Sequence, residues 1–176
     1  MLVFIDLFVM LKIEEKETLR AHANIIGAIV GTADFVEVEK GTQKYVKIVV
    51  KVKGDSSVFT SGEHGCHVHE KGLCEAPDFK SAGGHFDPGP SGNTDADVNH
   101  PYHMGDLPNI VVDKKGNGYL EAISTRFTLS DGLLCIFNEN GASIMVHAHK
   151  DPYHGGEHGS GISGGPRMGC GVIEKL

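Results

Sequence analysis

The sequence predicts an all-β protein, an antiparallel β-sandwich or barrel with two long functional loops. The first observation is the run YVKIVVKVKG from Tyr45, in which most valine and isoleucine fall on one face and the lysines fall on the other. Such period-two patterning is typical of a half-buried strand. The second observation is a pair of long segments rich in Gly, Pro, Asp, Asn and His, between Cys74 and Asp106 and between Asp151 and Arg167. Loops of this length in a compact domain are usually functional or disordered.

Three further segments complete the strand prediction. NIIGAIVGTADFVEVEK contains two β-rich runs, with a turn predicted near Gly31–Asp34. NIVVDKKGNGYLEAI carries a lysine–glycine turn between two apolar runs, which is a hairpin signature, and LLCIFNENGASIMVHAH repeats this pattern around Asn140-Gly141. Only Ile13–Ala23 has a helical pattern, and that pattern is weak.

Length and composition limit the possible functions. The chain has 176 residues, enough for one domain with a substantial core, and 40% of them are hydrophobic, which argues against disorder. Lys and Arg number 16 against 23 Asp and Glu, so the formal net charge is −7. Nucleic acid is therefore not an expected partner, because no basic run could neutralise a phosphate backbone. The cysteines Cys66, Cys74, Cys135 and Cys170 allow one or two disulfides, and spacing alone does not choose among the pairings.

The N-terminal end differs in pattern from the rest of the chain. We predict an N-terminal leader or extra segment over residues 1–20 and a β domain over residues 21–176. The apolar run MLVFIDLFVML is too short to span a membrane, which takes about 20 residues. No basic residue precedes this run, Asp6 interrupts it and no small-residue cleavage site follows, so a buried strand or a leader fits better than a signal peptide.

Histidine is the residue type on which the functional prediction depends. GEHGCHVHEKGLC contains His67 and His69, which point to the same side of a strand because residues i and i+2 share a face. MVHAH does the same for His147 and His149. Two imidazoles on one face are a suitable start for a zinc or copper site, although exposed strand histidines would have the same pattern.

The first long segment adds four more possible ligands, His85, His100, His103 and Asp106. Three imidazoles and one carboxylate make a complete tetrahedral set for zinc. A solvated polar loop is the alternative for any single histidine, but it explains poorly why three of them accompany an aspartate. The residue types therefore favour a metal-binding loop.

Five motifs in this order resemble copper–zinc superoxide dismutase: GEHGCHVHEKGLC, DFKSAGGHFDP, HMGDLPNI, VHAH and GGPRMGCGVI. The resemblance covers Ile25 to Ile173, and FKSAGGHF and GDLPNI look more like bacterial than animal members. It implies an antiparallel Greek-key β-sandwich or barrel. It also implies an enzyme that disproportionates superoxide to oxygen and hydrogen peroxide, with copper alternating between Cu(II) and Cu(I) and a structural zinc.

The resemblance implies two metal sites that share one histidine. Four histidines match the copper ligands: His67, His69, His85 and His147. His85 matches the residue that bridges copper and zinc, and His103 and Asp106 match zinc ligands. The family usually has a further zinc histidine near Asn93 and Thr94, where this sequence has none. The nearest candidate is His100, which would complete the zinc site if the loop is re-routed.

Five other residues match supporting positions of the family. Cys74 and Cys170 match its intrachain disulfide, and Arg167 matches the arginine that lies over the copper. His64 matches a structural histidine that orients neighbouring backbone. Asp151 matches an aspartate that links a copper ligand to a zinc ligand, although an ordinary aspartate at the start of a loop is an equally good interpretation.

The catalytic residues that the resemblance implies are His85 and Arg167. His85 would release and take up a proton, and Arg167 would attract the superoxide anion. Lys80 and Lys150 lie close in sequence to the ligands, where they either add to this attraction or are plain surface lysines. His149 has no counterpart among the ligands and is predicted to be a surface histidine.

Several alternatives stay open at this point. Cys66 and Cys135 are predicted to be buried free thiols. A copper-binding or copper-delivery module with little activity and a copper-only dismutase without zinc are the two alternative functions. Superoxide is the expected partner, with no membrane span and with either a monomer or a homodimer. A persistent disulfide and bacterial-like motifs favour an extracytoplasmic location, in the periplasm, the cell envelope or the exterior.

Overall fold

The protein is described from a computed structural model that covers residues 14–89 and 92–176. The described part contains one short 3-10 helix, Lys80–Ala82, and ten strands. The strands are β1 (Glu15–Gly27), β2 (Ile29–Lys40), β3 (Gln43–Gly54), β4 (Gly62–His64), β5 (Cys66–His69), β6 (Ile110–Val112), β7 (Asn117–Ser124), β8 (Ser143–His147), β9 (Arg167–Val172) and β10 (Glu174–Lys175). All named strand pairs are antiparallel, which confirms the predicted fold class.

The sheet is a nearly closed barrel whose two edges are neighbours in the sequence. Hydrogen bonds connect the strands in the order β4-β6-β7-β3-β2-β1-β9-β8-β5, and β10 pairs with β1. The edge strands β4 and β5 are separated by Gly65 alone. The chain therefore passes from one edge of the sheet to the other within one residue, which brings the two edges together.

Alternation within the strands separates the core from the site. Val46, Ile48 and Val50 of β3 are fully buried in the barrel, as the period-two pattern predicts. In β5, Cys66 and Val68 join the same core, whereas the intervening histidines face the outer side of the barrel. These histidines are also fully buried, because the long loops cover that side.

Two local predictions are wrong in the part of the chain that the structure describes. Gly31–Asp34 is not a turn but lies inside β2, and the chain reverses near Ala28, where Ile25 pairs with Gly31. A side chain at Gly31 would come within 2.0 Å of the Lys51 carbonyl oxygen, so this glycine permits close cross-strand approach instead of a turn. The weak helical pattern is also wrong, because β1 occupies it from Glu15 onward and pairs with β2 along most of its length.

The two predicted hairpins have different outcomes. The hairpin over residues 109–123 is confirmed, since β6 and β7 pair with Val112 opposite Gly118. In the other, Gly141 does adopt a turn conformation with φ of 64°, but the preceding segment is irregular and only β8 is a strand. Residues 1–13 of the predicted leader lie outside the described residues. Within the described ranges, no helix is long and apolar enough to cross a membrane.

Candidate metal centre

The metal-ligand candidates of the first cluster are positioned by adjacent strands. His67 and His69 lie on β5, and His147 ends the neighbouring β8. His85 comes from the first long loop but forms a bridge with His69, held by hydrogen bonds on both sides of it, Phe86 N to the Val68 carbonyl and Glu70 N to the Gly84 carbonyl. His85 is therefore fixed almost as firmly as a strand residue.

The first cluster consists of His67, His69, His85 and His147, with four ligand nitrogens within 4.8 Å of one another. In each ring one nitrogen lies near a protein acceptor: Asp151 Oδ2, the Gly83 carbonyl, Asp106 Oδ1 and the Gly165 carbonyl, respectively. The other nitrogen of each ring is buried without a protein partner. Four convergent buried imidazoles with one unpaired nitrogen each form a donor set that fits copper or zinc.

The second cluster consists of His85, His100, His103 and Asp106, again with ligand atoms within 4.8 Å of one another. Asp106 Oδ1 lies 2.7 Å from His85 Nδ1, and Asp106 Oδ2 lies 3.1 Å from His103 Nδ1. His100 Nδ1 is 3.3 Å from the same Oδ2 but has no hydrogen-bond geometry. Three imidazole nitrogens around one carboxylate are the residue types of a closed tetrahedral zinc site.

The family position near Asn93 and Thr94 has a different role here. The Thr94 carbonyl accepts a hydrogen bond from His85 N at 2.9 Å, and a side chain at Gly84 would come within 1.6 Å of this carbonyl oxygen. The backbone at Thr94 therefore packs against Gly84 and His85 where the family usually has a zinc histidine. His100 is the third imidazole of the second cluster instead.

Asp151 connects the two clusters. Its carboxylate is fully buried, and its Oδ2 lies 2.9 Å from His67 Nε2 and 2.8 Å from His100 Nε2. In both rings the opposite nitrogen, Nδ1, is the one that belongs to a cluster and has no hydrogen-bond partner. This geometry fits the linking role better than the interpretation of Asp151 as an ordinary loop aspartate.

Burial and nearby charges set the protonation of the histidines. Burial lowers the pKa of His67 and His85 to about 4 and that of His147 to about 3, and it holds the pKa of His69 well below its ordinary value. These four rings are neutral at physiological pH, which is the form that binds a metal.

In the second cluster, His100 has a raised pKa, in contrast to the four rings of the first cluster. Burial acts to lower the pKa of His100, but its close contacts with the Asp106 and Asp151 carboxylates raise it to about 9. The pKa of Asp106, which burial would raise, is instead held well below its usual range by close contacts with His85, His100 and His103. A metal that binds at His100 must therefore displace a proton.

Arg167 lies beside the first cluster at the wall of a cavity of about 530 Å³ that Lys80 and His147 also line. Its guanidinium donates to the Phe79 carbonyl at 2.6 Å and to the Gly83 carbonyl at 2.7 Å. The Gly83 carbonyl oxygen also lies 3.1 Å from His69 Nδ1, so one backbone oxygen positions both Arg167 and a ligand candidate of the first cluster.

The predicted disulfide is confirmed, and it joins Cys74 to Cys170 across 96 residues. Both remaining thiols, Cys66 and Cys135, are free and buried, as expected, and burial raises the pKa of Cys66 to about 12. His149 is exposed, in agreement with its prediction as a surface histidine.

His64 lies outside both clusters but contacts the end of β8. Its Nδ1 lies 3.0 Å from the His147 carbonyl oxygen and its Nε2 lies 2.8 Å from the Thr60 carbonyl oxygen. This buried ring therefore joins the loop before β4 to the strand that carries a ligand candidate.

Two residues that the sequence interpretation missed connect the loops. Asp97 is buried and accepts hydrogen bonds from Gly161 N and from Ser163, so it ties the first long loop to the second. Asn109 bonds the backbone of Asp151 through its side-chain amide. An Asp in a glycine-rich loop and an Asn directly before a strand are weak signals, because either residue is common in turns.

Comparison with known proteins gives a consistent result. The family model described as copper/zinc superoxide dismutase (SODC) matches residues 29–173. The chain is 35% identical over 161 residues to "Superoxide dismutase [Cu-Zn] 2" of Aquifex aeolicus, covering 89% of this chain and 88% of that protein. It is 36% identical to "Superoxide dismutase [Cu-Zn]" of Deinococcus radiodurans, covering 85% of this chain and 80% of that protein.

Solved structures with a similar fold carry other descriptions. A superoxide dismutase-like protein from Bacillus subtilis superposes with a TM-score of 0.67 at 28% identity, covering 86% of this chain and 96% of that chain. The clock protein EA4 superposes with a TM-score of 0.70 at 30% identity, covering 89% and 94% of the two chains.

Proposed function

The chain belongs to the copper/zinc superoxide dismutase family, and from this premise we propose that it is an active dismutase. The proposed reaction converts two superoxide anions and two protons into one oxygen and one hydrogen peroxide. Copper would bind at the first cluster and zinc at the second. The observation that carries the proposal is the set of four convergent histidines, each with one buried nitrogen that has no protein partner.

The metals supply what side chains cannot, since copper alternates between two oxidation states while zinc has no redox chemistry and would hold the shared ring in place. His85 belongs to both clusters, and its Nδ1 is held toward Asp106. Its Nε2 is consequently the atom that we assign to proton uptake and release during turnover.

Arg167 is proposed to attract and orient superoxide. Two carbonyl oxygens hold its guanidinium at the cavity wall beside His147, and an oxygen anion entering this cavity meets a fixed positive charge. Local field, and not net charge, governs the capture of a small anion, so the formal charge of −7 does not oppose this role.

Zinc binding at the second cluster is the finer part of the proposal. His100 supports it, because this ring shares Asp151 with His67 and keeps its Nδ1 in the cluster. A copper-only dismutase would have no use for a second complete set of four ligands, so the geometry favours the form with both metals.

A copper-binding module with little activity is the alternative function. Its support is that two proteins of similar fold are described otherwise than as superoxide dismutases, one as a superoxide dismutase-like protein and one as a clock protein. Against it, all four first-cluster histidines and the arginine are brought together here.

The proposal is tested by metal content and dismutation rate of the protein loaded with copper and zinc. We expect about one copper and one zinc per chain with rapid dismutation, as the two four-ligand clusters imply. His147→Ala should lose copper and activity, whereas His149→Ala, an exposed histidine two residues further, should lose neither. Bound copper without dismutation would favour the copper-binding module, and activity without zinc would favour the copper-only enzyme.

We also propose an extracytoplasmic location. The support is the Cys74–Cys170 disulfide, which persists in oxidising compartments, together with the bacterial relatives. Fractionation of the native host, with a thiol-alkylation assay of the two cysteines in each fraction, checks this location.

A further inference from the structure

We propose that Asn109 is a positioning residue that controls metal binding at the second cluster through Asp151. Asn109 is 6% exposed and directly precedes β6, outside both clusters. Its side-chain amide forms a two-point pairing with one backbone residue: Asn109 Nδ2 donates to the Asp151 carbonyl at 2.9 Å, and Asp151 N donates to Asn109 Oδ1 at 3.0 Å. Such a pairing fixes the peptide backbone on both sides of the Asp151 Cα.

Two further hydrogen bonds close a ring around Asp151. Asn109 N donates to Tyr153 Oη at 2.6 Å, and Tyr153 N donates to Asp151 Oδ1 at 2.8 Å. Tyr153 has φ of 59°, a conformation that a bulky residue rarely adopts unless its surroundings impose it. Asn109 thus contacts the turn at both of its ends.

The position of Asp151 matters because its carboxylate contacts one ring of each cluster. Asp151 Oδ2 lies 2.9 Å from His67 Nε2 and 2.8 Å from His100 Nε2. His67 has β5 to hold it, whereas His100 lies in an irregular loop. A displaced Asp151 would therefore misorient the His100 ring more than the His67 ring.

Asn109 is held by strand β6, whereas Asp151, to which it bonds, lies at the start of the second long loop. β4 and β7 pair with β6 on its two sides, so the chain next to Asn109 is held by the barrel. Asp151 begins the second long loop, whose backbone near it has no strand partner. The Asn109 amide therefore holds the Asp151 backbone in a fixed position relative to the barrel, and the Asp151 carboxylate in turn orients His100.

The test is a double-mutant cycle in zinc affinity, measured on the copper- and zinc-loaded protein by competition with a chromophoric chelator. Asp151→Asn should weaken zinc binding about 10- to 100-fold, as removal of a hydrogen-bond partner of a ligand does, and Asn109→Ala about tenfold. Because Asn109 acts through Asp151, the double variant should be within about twofold of Asp151→Asn alone. The absorption spectrum of cobalt bound at the second cluster should change in both single variants.

Matched variants separate positioning from loss of stability. Glu37→Gln removes a buried charge whose hydrogen-bond partners lie in neither cluster, so it should destabilise the barrel without changing zinc affinity. Tyr153→Phe removes only the acceptor for Asn109 N and should weaken zinc binding to a smaller extent. If Asn109→Ala does not fold, Asn109→Ser is measured against the same criteria.

Two results would overturn the assignment. One is an Asn109 variant that binds zinc within twofold of wild type or no worse than Glu37→Gln; the other is a double variant in which the two single effects multiply. The inference rests on the proposed function for the identity of the metal. Zinc affinity is nevertheless measurable in a protein without dismutase activity, so failure of one proposal is distinguishable from failure of the other.

Discussion

The two clusters are built from the same residue types but on different supports. In the first, His67, His69 and His147 lie on paired strands, and a backbone bridge fixes His85 beside them. In the second, a backbone bridge fixes Asp106 beside His67, but His100 and His103 lie on the first long loop and are held by side-chain contacts with Asp151 and Asp106. A strand-borne ligand is oriented by the sheet ladder, whereas a loop-borne ligand is oriented by its neighbours.

Because of this difference, we expect metal binding at the first cluster to tolerate substitutions better than metal binding at the second. The first cluster needs the pairing between β5 and β8, which the barrel maintains, and the backbone bridge between His69 and His85. The second needs Asp106, Asp151 and their partners to be in place at once. The first cluster should therefore retain its metal in variants that empty the second, but not in a variant of the shared residue.

The largest effect is expected for His85→Ala, because this ring belongs to both clusters. Loss of an outer hydrogen-bond partner already costs about 10- to 100-fold, so loss of a shared ligand should lower dismutation at least about 100-fold. Copper and zinc contents should both fall, as measured by mass spectrometry. The exposed His149→Ala serves as control, and a variant with both metals at full occupancy would contradict the shared-ligand assignment.

His100→Ala is expected to affect the second cluster and leave the first intact. We expect zinc affinity to fall by at least about 100-fold while copper stays near one per chain, since His100 belongs to the second cluster but not to the four-histidine set. Metal analysis after dialysis against a weak chelator measures this. His154→Ala, which changes an exposed loop histidine, should leave both contents unchanged. Loss of copper in parallel with zinc would show that the two supports are not independent.

Glu37→Gln sharpens the comparison by testing a part of the barrel that contacts neither cluster. The Glu37 carboxylate is fully buried and accepts hydrogen bonds from Leu129 N, Ser130 N and Thr18 Oγ1. Loss of the charge should lower the free energy of unfolding by about 1–3 kcal/mol at pH 7 without changing metal content. Urea unfolding of the metal-free protein, with the disulfide intact, measures this. Glu39→Gln, which removes a partly exposed ion pair with Lys44, should cost less than about 1 kcal/mol.

The pH dependence of this effect has a defined sign. Burial would raise the pKa of Glu37, but hydrogen bonds from Ser130 and Leu129 lower it below the ordinary value of 4.5. The contribution is therefore fully present above pH 4.5 and is lost as the pH falls through the native pKa. The difference in unfolding free energy between wild type and Glu37→Gln should shrink below that pH, and a difference that grows on acidification would contradict this assignment.

The smallest effect is expected at the rim of the cavity, where two lysines differ. Both are paired with a carboxylate, Lys80 with Asp78 at 3.2 Å and Lys150 with Glu63, but only Lys80 lines the cavity with Arg167. Lys80→Ala should lower kcat/KM about two- to threefold at low ionic strength, and the effect should vanish near 1 M salt because screening removes it. Lys150→Ala is the matched control. Equal effects of the two changes would mean that net charge alone matters.

Much of the framework was predictable because it depends on local periodicity. Alternation in β3 and the same-face placement of His67 and His69 follow from the two-residue repeat of a strand, and the structure places them accordingly. The turn expected near Gly31–Asp34 failed because a glycine in a strand and a glycine in a turn look alike in sequence. Only the approach of the Lys51 carbonyl in the folded sheet distinguishes them.

The sequence by itself determined the fold class, the set of possible ligands and the family. Only the tertiary structure decided that β4 and β5 meet as the two edges of one sheet and that Asn109 contacts Asp151. It also brought His100 to Asp151 in a loop without strand pairing. Local patterns encode the direction of a side chain, but contacts between distant segments depend on how the whole barrel closes.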